Sequence, residues 1–125
     1  MKRTCGLALL CYLLPASLLA QSPVSEDELI WIEDAQQLVE AAASGRAEAR
    51  SFQRQVKQSR DTLRGIVRNA GENSSERHQN MILMVALLDA AAACHRAGHI
   101  VCPPDLMRQL RTQLSRLQAQ TGTLG

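Results

Sequence analysis

Between residues 25 and 120 the apolar positions recur at helical spacing in four blocks, and no stretch alternates apolar with polar as a half-buried strand would. In the first block Ile32, Ala35, Val39 and Ala42, widened by Trp31 and Leu38, share a side opposite Glu33 and Glu40. Ser25 and Glu28 have capping-box spacing, and Glu26, Asp27 and Glu28 fill a first turn where the helix dipole favours negative charge, so a helix is expected over 25–44. Phe52, Val56, Leu63, Ile66 and Val67 define a second helix over 46–70. Ser44-Gly45 separates the two: a continuous rod would be about 69 Å long at 1.5 Å per residue and would leave half its apolar stripe bare without a dimer.

The third block is apolar on every face from Met81 to Ala93, which predicts the most buried helix, over 74–97. Asn73 with Glu76 caps its start at capping-box spacing, and Gly98 suits a left-handed C-cap after His95 and Arg96. Asn73-Ser74-Ser75 also reads as a glycosylation acceptor, but the cap accounts for the Asn without a sugar. Asp89 interrupts the apolar run. An Arg of the second helix is its natural partner, and the simpler reading is that it marks the least buried edge. Pro103-Pro104 then opens a fourth helix over 103–120, whose seam is Leu106, Leu110, Leu114 (or Gln113) and Leu117, with a tail over 121–125 that should fray. The expected fold is all-α, a four-helix up-and-down bundle forming one domain over 21–125.

The first 20 residues change the accounting. Lys2 and Arg3, the apolar run Gly6 to Leu14, Pro15 and a small residue at Ala20 describe a secretory signal peptide, although Leu18 at the −3 position leaves the cut inexact. Its removal takes Cys5 and Cys11, leaving Cys94 and Cys102, and turns 14 basic residues against 12 acids into 12 against 12. A neutral chain of this kind has no global field drawing it to nucleic acid or anionic lipid, and no second apolar run is long enough to span a membrane. Export to a periplasmic or secreted location follows, and an Ala- and Arg-rich composition points to a bacterial source.

Charge is strongly segregated within that neutral total. The first helix carries six acids and no base; the second carries Arg46, Arg50, Arg54, Lys57, Arg60, Arg64 and Arg68 on one stripe about 120° from its apolar face. The stripe is either a ligand face for phosphate or an acidic partner or a solvated face partly neutralised by the acidic first helix folded back on it, and the second reading is the simpler.

Candidate chemistry is sparse. Cys94 and Cys102 flank a short corner, and in an oxidising compartment a disulfide there would contribute ~2–3 kcal/mol and pin the third helix to the fourth. The competing reading takes Cys94, His95, His99 and Cys102 as zinc or copper ligands, which requires reduced thiols. Ala91-Ala92-Ala93-Cys94-His95 resembles the Cys-x-x-Cys-His attachment motif of the c-type cytochromes, as in the cytochrome c-prime bundles, departing from it where Ala91 replaces the first cysteine; the resemblance implies a haem-carrying bundle. His78, Met81 and Met84 share a helix face that reads as core. No phosphate loop, nucleophile elbow, zinc-protease helix or carboxylate pair appears. The expectation is a non-enzymatic interaction module without a cofactor: an accessory subunit, inhibitor or immunity-type protein that meets another protein through Arg46, Arg50, Arg54, Lys57, Arg64 and Arg68, a homodimer being compatible with the seams.

Overall fold

The computed structural model describes residues 23–73 and 75–122; the expected signal peptide and residues 123–125 of the expected tail lie outside the described residues. The chain is a helical bundle of α1 (Glu26–Ser44), α2 (Ala49–Ala70), α3 (Glu76–Ala92) and α4 (Pro104–Thr121). A 3-10 turn (Gly71–Asn73) links α2 to α3, and a two-stranded hairpin, β1 (His95–Arg96) and β2 (His99–Ile100), links α3 to α4. Among the described residues no helix is long and apolar enough to cross a membrane.

Hydrogen bonds between helices fix their directions. Trp31 Nε1 donates to the Ser59 carbonyl at 2.9 Å, and Gln53 at the start of α2 donates to the Ala92 carbonyl at the end of α3 at 3.0 Å. Asn80 early in α3 donates to Gln120 Oε1 late in α4 at 3.1 Å. Each helix therefore runs antiparallel to the next, and α4 closes the ring against α1. The core comprises Trp31, Ile32, Leu38 and Val39 from α1, Phe52, Val56 and Leu63 from α2, Met81, Met84 and Leu88 from α3, and Leu110, Leu114 and Leu117 from α4.

The first helix begins and ends where the sequence places it. Ser25 and Glu28 form a reciprocal capping box, and Gly45 ends α1 in the left-handed conformation at φ 71°, so α1 and α2 are separate helices. Three expectations need correction. First, α2 starts at Ala49 rather than 46, because residues 47–49 pair with the hairpin: Ile100 N–H donates to the Ala47 carbonyl at 2.9 Å and Ala49 N–H to the Gly98 carbonyl at 2.8 Å. Second, α3 starts at Glu76 under a Ser75 cap rather than an Asn73 cap, and stops at Ala92 rather than 97. Ala97 and Gly98, at φ 52° and 83°, make the two-residue turn of the hairpin, so Gly98 serves a strand reversal and not a helix end.

Third, α3 is not enclosed. It buries Met81, Met84, Val85, Leu88, Ala91 and Ala92 on one side, while Ile82 is 48% and Leu83 44% exposed. In a ring of four helices every member keeps an outer face, and the surplus apolar residues of α3 occupy its outer face.

Candidate functional site: a basic groove between α2 and α3

The placement of α1 decides what the basic stripe can do. On α2, Gln55, Gln58 and Thr62 lie about 100° to one side of the buried face and the bases about 130° to the other, at ~100° per residue. α1 packs on the first flank, where Trp31, Asp34, Gln37 and Leu38 meet Gln55, Gln58, Ser59 and Thr62. The stripe lies on the opposite flank, beside α3. The acidic first helix makes no direct contact with the stripe: Glu26, Asp27, Glu33, Asp34 and Glu40 are exposed, and among the described residues they make no ion pair with α2. Arg46, Arg50, Arg54, Lys57, Arg64 and Arg68 are all exposed, as a contact face requires.

Where the stripe meets α3 it borders a groove of about 530 Å³. Leu63 and Val67 of α2 and Ile82, Val85 and Ala86 of α3 form an apolar floor; Arg60, Arg64 and Arg68 form one wall. The short side chain of Ala86 leaves the trench open, and Ile82 stands half exposed within it. Asp89 pairs with Arg60 and is itself partly exposed, so it has both the α2 partner and the edge position that its sequence context suggests. Arg64 lies 3.5 Å from Asp61 with both side chains exposed, a contact worth little, and Arg68 makes no ion pair among the described residues. Two guanidinium groups beside an apolar trench are thus available to an incoming carboxylate.

Sequence reasoning missed a second polar cluster. Glu28, which is 3% exposed, receives Arg77 Nε at 2.8 Å and Nη2 at 3.3 Å, and its Oε1 is 3.1 Å from His78 Nε2. Arg77 Nη2 also donates to the Pro23 carbonyl at 3.2 Å. Burial alone would push the Glu28 carboxyl up, but the hydrogen bonds and charge of Arg77, with the amide of Ser25, outweigh it and hold the group below its ordinary 4.5.

The order Ser75, His78, Glu28 has the outline of a nucleophile, base and acid, with Ser75 Oγ 3.3 Å from His78 Nδ1. Its wiring is that of a staple. His78 Nδ1 already accepts the Ser75 amide at 2.9 Å, Ser75 Oγ accepts the His78 amide, and Arg77 occupies both oxygens of the carboxylate. The cluster bolts the first turn of α1 to the first turn of α3. Its sequence signal was Arg77 and His78 in the polar first turns of a helix that is apolar from Met81 onward save for Asp89.

The corner residues are not gathered as expected. Cys94 and Cys102 are free thiols, which corrects the expected disulfide. The hairpin sets Cys94 opposite Val101, whose amide donates to the Cys94 carbonyl at 2.7 Å. Cys102 is thereby one residue out of register and packs toward the core, while Cys94 Sγ approaches the Ala90 carbonyl at 3.3 Å. Burial first, and the neighbouring Cys94 second, push the Cys102 thiol up. His95 and His99 are exposed on the hairpin strands, and among the described residues no three metal-binding side chains converge, so Cys94, His95, His99 and Cys102 do not form the ligand set that the metal and haem readings need.

No family model, no curated protein and no solved structure matches this chain.

Proposed function

We propose that the chain is an exported, non-enzymatic helical interaction module of a bacterial envelope, an accessory subunit, inhibitor or immunity-type protein, that docks an acidic surface on α2. The observation that carries this reading is the exposed stripe Arg46, Arg50, Arg54, Lys57, Arg64 and Arg68, with which no acid of α1 pairs among the described residues and which runs into an apolar groove. Charge supplies steering and register, and the apolar floor supplies the affinity that exposed ion pairs alone do not. The leader-like residues 1–20 support export.

The test is affinity capture from an envelope extract on immobilised protein, comparing wild type with the Arg50→Glu/Arg54→Glu/Lys57→Glu variant. Loss of the wild-type partners by the variant supports the basic-face reading; full retention overturns it.

A further inference from the structure

The outer face of α1 carries the counterpart of the groove. Ile30 is 51% exposed, and its neighbours one turn away on either side are Glu26, Asp27, Glu33 and Asp34. All four acids are exposed and none makes an ion pair among the described residues. Leu29, 38% exposed, extends the patch. An isoleucine ringed by four carboxylates is a costly arrangement on an isolated surface: like charges crowd, and the apolar knob faces water. The groove presents the inverse, an exposed isoleucine floor, Ile82, beside Arg64 and Arg68. Within one molecule the two cannot meet, because α1 packs on the other flank of α2.

We propose that the groove's occupant is α1 of a second copy of this chain, Ile30 entering against Val67, Ile82 and Ala86 while Glu26 and Glu33, on one side of it, face Arg64 and Arg68. This rests on the reading of the α2 face as a docking surface and names the partner. The contact joins two different patches, so it is heterologous: each added molecule brings one knob and one groove and leaves one of each free. A single helix face buries little area, which places the contact in the weak class and makes assembly concentration-dependent. Its charge component makes it sensitive to salt.

Sedimentation velocity on the purified protein tests it. Wild type is expected to rise above monomer mass between roughly 10 µM and 1 mM at about 0.05 M salt, and to fall back at about 0.5 M. Ile30→Asp and Arg64→Glu/Arg68→Glu change exposed side chains, so both variants should fold, as circular dichroism will verify, and each alone should remain monomeric. Ile30→Asp keeps an intact groove and the arginine variant an intact knob; mixed, they should form a 1:1 pair and stop there. Wild type that stays monomeric throughout overturns the proposal, as does wild-type-like assembly by either variant or a mixture that forms no pair. A monomeric wild type whose extract partners still depend on Arg50, Arg54 and Lys57 would sink self-association and leave the docking face standing.

Discussion

Arg77 Nε donates to Glu28 Oε1 at 2.8 Å, joining residues 49 apart in sequence and holding the first turns of α1 and α3 together inside the bundle. Breaking a buried pair leaves the remaining charge uncompensated, which costs about 3–5 kcal/mol. Arg77→Met and Glu28→Gln should therefore each lower the free energy of unfolding by that order. The double variant should lose less than the sum of the two, because no orphaned charge remains. Urea titration of the three variants measures it; additive losses would show that the pair is not coupled.

The same carboxylate sets an acid limit. Its folded-state pKa lies below the ordinary 4.5, so its contribution is present above that value and is lost as pH falls through the lower folded value. Stability should decline on acidification below about pH 4.5, and Glu28→Gln should flatten the decline. Thermal melts of both proteins from neutral to acid pH report the difference; parallel curves would contradict it.

Ser59 Oγ is buried and has no hydrogen-bond partner among the described residues, while the Ser59 carbonyl receives Trp31 Nε1 at 2.9 Å. Removing an unpaired buried hydroxyl relieves a desolvation cost of about 1–3 kcal/mol, so Ser59→Ala should be neutral or stabilising. Trp31→Phe deletes the indole donor, leaves the carbonyl unmet and shrinks the side chain, and should cost roughly 1–3 kcal/mol. A melting temperature lowered by Ser59→Ala would refute this account of the α1–α2 contact.

Burial raises the Cys102 thiol and thereby lowers its thiolate fraction, and the side chain packs against the core, where Cys94 does not. Timed alkylation of the folded protein followed by peptide mapping should label Cys94 first. Recovery of the two cysteines as one disulfide-linked peptide from unreduced protein would contradict the free-thiol corner.

Three helices were legible because each carries apolar residues on a 3.6-residue period and α3 because its apolar run is long and unbroken, and α1 was legible to the residue because Ser25 and Glu28 form the capping box their spacing describes. The hairpin was not. Its turn uses Ala97-Gly98, with Ala97 at φ 52°, where an Asn or Asp would have signalled the reversal; Ala in that position looks like the end of a helix. The error propagated to the thiols, since a helix running to 97 places Cys94 differently from a chain leaving α3 at Ala92. The stripe on α2 was legible as a pattern, but its exposure was not, because only packing could say which flank α1 would take. Gln55, Gln58 and Thr62 accept it, and a row of uncharged polar residues beside an apolar face gives a weak signal in sequence.

If the groove between α2 and α3 is the docking surface proposed above, Ile82→Asp should disable it alone, because Ile82 is 48% exposed on the groove floor and its replacement leaves the core intact. Affinity for the partner retained by immobilised wild type should be compared among wild type, Ile82→Asp and Gln58→Glu, the last a change on the opposite flank of α2. Ile82→Asp should bind at least about tenfold more weakly with an unchanged melting temperature, while Gln58→Glu should bind as wild type does. Undiminished binding by Ile82→Asp, or a loss confined to Gln58→Glu, would contradict it.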